Sequence, residues 1–162
     1  MKGTYVLILV CMKPFRVKIG SLGYANIGKG YYIYTGSALG TGAISVEGRL
    51  RRHSQRAKKV KWHVDYLTSD VRCKVMAVVI VRSRKRLECA VNQAVVRKLN
   101  ARPVLPGAGS SDCKCEGHLA KVGLSIRSGK ILSMVMGVCR RFGRSVSCVQ
   151  FMNSAQERRE LF

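Results

Sequence analysis

Tyr5-Val6-Leu7-Ile8-Leu9-Val10-Cys11 is an unbroken, β-rich run with no charged position in it. A strand with one solvated face alternates apolar and polar residues. A continuous run reads as a strand buried on both faces, and therefore as the centre of a sheet. Pro14 ends it, since proline cannot donate to the ladder. Working outward, residues 17–19 form a second short strand closed by Gly20. Residues 20–30 hold four glycines and read as a connection or a wide hairpin. Residues 31–34 (YYIY) are an aromatic strand stopped by Gly36. A Gly-rich loop over 37–42 leads into a helix over 43–59, with Ile44, Val46 and Leu50 as its apolar stripe and Gly48 weakening it. Arg49, Arg52, His53 and Arg56 recur at helical spacing and are expected on one basic face. Residues 62–67 (WHVDYL) read as a short helix and 72–81 as a valine-rich buried strand. Residues 87–99 read as a helix with Leu87, Val91, Ala94, Val95 and Leu99 inward, ended by Pro103 and Pro106. The order predicts an α+β (mixed α/β) domain, with a small central sheet flanked by helices.

After His118 the composition changes. Acidic residues vanish until Glu157, and two apolar runs, 131–138 and 146–152, look strand-like. The expected division is a domain over 1–120 and a basic appendage over 121–162.

Thirty Lys and Arg stand against eight Asp and Glu, a formal net charge of +22. Such a chain calls for a polyanionic partner, and nucleic acid is favoured because neutralised phosphates release condensed counterions. A membrane surface ranks lower, because the basic residues are scattered over turns and helices rather than set along one long amphipathic helix. The apolar run at residues 5–12 is far too short to span a bilayer, no small-residue cleavage site follows it, and a cytoplasmic protein is expected. The seven cysteines, Cys11, Cys73, Cys89, Cys113, Cys115, Cys139 and Cys148, are odd in number, which argues against an all-disulfide framework. Free thiols are expected, with intracellular disulfides a property of hyperthermophile proteins.

Gly3-Thr4-Tyr5, Tyr34-Thr35-Gly36, the helix motif Arg49-Leu50-Arg51-Arg52-His53 and Glu88 on a later helix occur in that order. Together they resemble the GIY-YIG nuclease superfamily. The resemblance is closest to an uncharacterised, largely archaeal branch sometimes joined to an endonuclease III domain, with segments like Trp62-His63-Val64-Asp65-Tyr66-Leu67 and Gly109-Ser110-Ser111-Asp112-Cys113-Lys114-Cys115-Glu116-Gly117-His118-Leu119. It covers about residues 3–119 and implies a GIY-YIG-like fold and a metal-dependent endonuclease acting on DNA ahead of RNA. By resemblance, Tyr5 or Tyr34 orients or deprotonates the attacking water and Arg49 clamps the phosphate. His53 joins them in the site. Glu88 holds Mg²⁺ (or Mn²⁺), the Lewis acid such hydrolysis uses. Arg52, Arg56, Lys58, Lys59, Lys61 and Ser37 join Arg49 as nucleic-acid contacts, with Gly36, Asn100 and Asp112 in support. The chain departs from the pattern at Ser37, where many members carry lysine, and at Asn100, which proline follows rather than precedes.

Plainer readings stand beside these. Glu88 alone reads as a helix-start acid or a partner for Arg84. The tyrosines alone read as strand packing, and the arginines as a phosphate-tracking surface. The Ser37 departure and the charge keep open an alternative function, a non-catalytic GIY-YIG-like module that binds DNA or structured RNA. Cys113-Lys114-Cys115 with His118 lacks the two-residue spacing between cysteines of a zinc knuckle. Its fourth ligand, Cys73 or Cys89, is not given by the sequence, so zinc is not expected.

Overall fold

The computed structural model describes residues 1–151. Six antiparallel strands form the main sheet in the order β6-β7-β4-β1-β5-β8. They are β1 (Gly3–Cys11), β4 (Gly30–Ala38), β5 (Cys73–Arg82), β6 (Arg102–Pro103), β7 (Leu119–Lys121) and β8 (Val146–Gln150). β2 (Phe15–Lys18) and β3 (Tyr24–Ile27) make a separate two-stranded ribbon. The helices are α1 (Val46–Ser54), α2 (Asp65–Thr68), α3 (Glu88–Lys98) and α4 (Ser128–Cys139).

β1 is the centre its sequence predicts, and all nine of its residues are buried. Its alternate side chains feed two cores. Tyr5, Leu7 and Leu9 pack with Tyr32, Tyr34, Val78 and Ile80, beneath Val46 of α1 and Val64 and Leu67 of the α2 segment. Val6 and Ile8 pack with Ile33, Val79 and Val81 beneath α3 and α4. Burying each such aliphatic side chain contributes about 1.5–3 kcal/mol, so two-faced burial is what makes this strand the spine of the fold.

The motif glycines are places where backbones or rings come too close for a side chain. A Cβ on Gly36 would lie 2.5 Å from the Tyr5 ring and hydroxyl, because Gly36 is the β4 residue directly opposite Tyr5. A Cβ on Gly3 would lie 2.4 Å from the Val81 carbonyl oxygen. The two motifs are thus one cross-strand unit, in which the glycine of one makes room for the tyrosine of the other.

Several expectations need correction. Of the two readings of residues 20–30, a connection or a wide hairpin, the hairpin holds, since they contain β3, which returns antiparallel to β2. The helix expected over 43–59 is shorter, because Ser45 caps it by accepting from Gly48 N–H at 3.2 Å and it stops at Ser54. Residues 131–138 form a helix, not a strand. Ile131, Val135, Val138 and Cys139 recur at helical spacing and turn inward against α3 and β5. Residues 121–150, expected as an appendage, belong to the same sheet and core, for β8 pairs with β5 along residues 77–81. Residues 152–162, including the end of the strand-like run expected there, lie outside the described residues. Cys11 and Cys73, opposite each other on β1 and β5, form a disulfide with Cα atoms 4.1 Å apart, whereas free thiols were expected there. Cys89, Cys113, Cys115, Cys139 and Cys148 are free. Among the described residues no helix is long and apolar enough to cross a membrane.

Candidate active site

Along β4, β7 pairs with Tyr32–Tyr34, and Thr35 N–H donates to the His118 carbonyl at 3.0 Å. Beyond that point, among the described residues, the outer edge of β4 at Gly36 and Ser37 has no strand beside it. A cleft of about 450 Å³ opens there, walled by α1, the segment before α2, the start of α3 and the loop before β7. Tyr34, Ser37, Arg49, Lys61, Glu88 and Asp112, all expected site residues, line it together with Gly36.

Arg49 reaches the cleft because α1 buries Val46 and His53, and Arg49 lies between them on the same stripe. Its guanidinium carbon sits 4.7 Å from the centre of the Trp62 ring, a cation–π contact that helps hold it at the cleft. Its Nε is buried with no hydrogen-bond partner among the described residues.

The two tyrosines occupy different positions. Tyr34 faces the cleft. Tyr5 is fully buried behind it, its hydroxyl hydrogen-bonded to His53 Nε2 at 3.0 Å. Tyr5, Tyr34, His53 and Trp62 form one aromatic cluster with neighbouring ring centroids 5.6–6.3 Å apart. Burial, together with the other phenol, holds Tyr5 well above its ordinary value despite Arg49 beside it. Tyr34 is raised for the same first reason, again against the pull of Arg49. The expected lowering by arginine is therefore present but outweighed, and both phenols stay protonated. His53, expected on an exposed basic face, is instead turned into the core. Burial and the charges of Lys58, Arg49 and Arg52 push it down to about 3, so it is neutral.

Glu88 opens α3 and is buried but for 6% of its surface. Arg86, not Arg84, is its basic neighbour, with Nη2 3.9 Å from Oε1, and His118 Nδ1 is 3.5 Å from the same oxygen. Arg86 also bonds Asp112 across the cleft mouth. Burial raises the Glu88 carboxyl, and Asp112 adds to this against Arg86, a hydrogen bond from Ser37 and Arg49. The donor set suits a hard cation. One carboxylate faces an open, polar cleft in which water can complete the oxygen shell that Mg²⁺ prefers, and the residual acidity deficit of Glu88 is of the kind a cation relieves.

The expected nucleic-acid contacts divide. Lys61 is exposed at the cleft; Lys59 and Arg56 are also exposed, Arg56 on a separate groove shared with Thr68 and Cys73, where it donates to the Asp70 carbonyl at 3.4 Å. Arg52 and Lys58 instead turn inward on Asp65, at 2.5 and 3.6 Å, and Lys58 keeps 3% of its side-chain surface. Asn100 takes no part in the cleft. It is exposed at the far end of α3, in a left-handed turn at φ +45°. Asn92, one turn beyond Glu88, is the buried asparagine, and its Nδ2 donates to the Gly117 carbonyl at 2.9 Å.

Trp62, His63 and Arg86 were not singled out as site residues, and His118 was weighed only as a zinc ligand. His63 Nδ1 accepts from Gly109 N–H at 2.8 Å, so the neutral ring carries its proton on Nε2. The only local signal for these residues was polar or aromatic side chains beside a motif residue. Their arrival comes from loops that only the fold brings together. The thiol–imidazole set is completed as well: Cys73 is tied to Cys11, but Cys89 joins Cys113, Cys115 and His118 with all ligand atoms within 4.8 Å of one another.

The family model described as "Domain of unknown function DUF123" matches residues 4–140, and the chain belongs to that family, which is GIY-YIG-like. No curated protein and no solved structure matches the chain.

Proposed function

We propose that this DUF123 family member is a divalent-metal-dependent phosphodiesterase acting on nucleic acid, with DNA ahead of RNA as substrate. The observation that carries the reading is the convergence of Tyr34, Arg49 and Glu88, from three separate elements, on one open cleft in a chain of net charge +22. Arg49, held against Trp62, offers its guanidinium fork to two non-bridging phosphate oxygens. Lys61 at the rim and the exposed Lys59 and Arg56 track the neighbouring phosphates. Tyr34 acts as a neutral phenol. It orients the attacking water through its hydroxyl rather than removing the proton as a phenolate. Tyr5 and His53 stand behind as positioning residues, packing the ring of Tyr34 from below. The His63 ring, its tautomer set by Gly109, adds a neutral donor on the cleft wall. Glu88 would hold Mg²⁺ or Mn²⁺, which supplies Lewis-acid stabilisation of the charge developing on phosphate. The finer resemblance to a largely archaeal branch sometimes joined to endonuclease III supports DNA and a cytoplasmic site of action.

The test is cleavage of labelled double-stranded, flapped and single-stranded DNA and of RNA, with and without Mg²⁺ or Mn²⁺, by the chain and by Glu88→Gln. Metal-dependent cutting by the wild type, lost in Glu88→Gln with binding intact, is the expected result. A second reading is a binding module that does not cut. Ser37 in place of lysine and the Arg86–Asp112 pair across Glu88 favour it. Tight, salt-sensitive binding that is indifferent to metal, with no cutting of any substrate, would establish that reading in place of the first.

A further inference from the structure

We infer that Cys89, Cys113, Cys115 and His118 form a tetrahedral zinc site that clamps the loop before β7 onto the start of α3. The ligand atoms lie within 4.8 Å of one another, and Cys113 Sγ is 3.5 Å from His118 Nε2. Zn–S bonds of about 2.3 Å and a Zn–N bond of about 2.0 Å in a tetrahedron set an S···N edge of about 3.5 Å and S···S edges of about 3.8 Å. The existing spacing therefore needs only small side-chain adjustment. Three thiols and an imidazole are soft and borderline donors, suited to zinc and unsuited to Mg²⁺, so this site is chemically distinct from the Glu88 oxygen site.

Two further features point to an ion. His118 is fully buried, and its Nδ1 has no hydrogen-bond partner yet lies 3.5 Å from Glu88 Oε1. With Nε2 on zinc, Nδ1 carries the proton and faces a carboxylate, the outer-shell arrangement usual for zinc-bound histidine. The second feature is the loop itself. Between β6 and β7, residues 104–118 contain no helix or strand. Such a loop needs a staple to hold Gly109, Ser111 and Asp112 in the cleft wall. Ser110 Oγ donates to the Cys115 carbonyl at 3.0 Å and Asn92 Nδ2 to the Gly117 carbonyl at 2.9 Å, so the backbone is already folded about the cluster. Cys115 and His118 are separated by two residues, the knuckle spacing absent between the two cysteines.

The experiment uses the full chain, purified without chelator from zinc-supplemented medium. Metal content is measured by plasma mass spectrometry, and Co²⁺ is then substituted for zinc to record its absorption spectrum. About one zinc per chain and a Co²⁺ spectrum with thiolate charge-transfer and tetrahedral d–d bands are expected. Under native conditions the cluster thiols Cys89, Cys113 and Cys115 should resist modification until a chelator is added, and trypsin should cut after the exposed Lys114 faster once zinc is removed. Cys113→Ser/Cys115→Ser should lose zinc, and Cys148→Ser, away from the cluster, should keep it. Zinc content near zero after reconstitution, or undiminished in the double variant, would overturn the site. These readouts require no nucleic acid. Their failure leaves the phosphodiesterase reading standing, and the absence of cleavage leaves the zinc site standing.

Discussion

Replacing Asp65 with asparagine removes one charge from a carboxylate that ties together three separate segments of the chain. Asp65 has no exposed surface, and its Oδ2 accepts from Arg52 at 2.5 Å and from the backbone N–H groups of Lys61 and Trp62 at 2.9 Å each. Lys58, with 3% of its side chain exposed, lies 3.6 Å from Oδ1. An asparagine oxygen can still accept from the backbone, but Lys58 and Arg52 lose their counter-charge in a desolvated position. Breaking a buried pair from one side costs about 3–5 kcal/mol. With a urea slope of about 2 kcal/mol/M, the unfolding midpoint should fall by about 1.5–2.5 M. Trp62, the single tryptophan, sits within the perturbed turn, so its fluorescence reports local and global loss together with circular dichroism. Adding Lys58→Met should recover part of the loss, because the uncompensated ammonium is then gone. A midpoint shift below about 0.5 M would show that the network carries no structural charge and that the reasoning fails. The pH dependence has a definite sign. Burial raises the Asp65 carboxyl, but the backbone N–H groups, Arg52 and Lys58 outweigh it and the net shift is downward from 3.8. Its stabilisation is therefore complete above pH ~4 and fades as pH falls through the lower folded value.

Other outcomes test the site. Gly36→Ala forces a Cβ to within 2.5 Å of a fully buried Tyr5 ring, and such overpacking should cost about 1–3 kcal/mol in thermal or urea unfolding; wild-type stability would mean Tyr5 has room to move. Tyr34→Phe should lower kcat for cleavage by about 10- to 100-fold, whereas Tyr5→Phe, which touches no substrate, should act mainly through stability; equal losses of kcat at equal stability would refute the assigned positions. Because burial raises the Glu88 carboxyl, metal-supported cleavage should decline at higher pH than an ordinary carboxylate dictates, and Mg²⁺ titrations across the acid range would expose the shift or its absence.

What the sequence determined by itself was whatever depends on near neighbours. The residue 5–11 run announced a strand buried on both faces, because burial on both faces leaves no polar position. The Leu87–Leu99 stripe announced α3, and the motif residues Tyr34, Arg49 and Glu88 stood out by their resemblance to the GIY-YIG pattern. The run at 131–138 was misread because a short apolar stretch is ambiguous between strand and helix until something decides which of its faces is covered. Packing on α3 and β5 selected the helical stripe. Only the tertiary structure could separate Tyr34 at the cleft from Tyr5 beneath it, since the two are distinguished by register with Gly36 and not by type. Only it could turn His53, Arg52 and Lys58 inward, replace Arg84 by Arg86 beside Glu88, and bring Cys89 to a thiol pair far along the chain. Electrostatic and ligand contacts act over a few ångströms in space. Residues far apart in sequence meet only when the sheet and its loops have placed them.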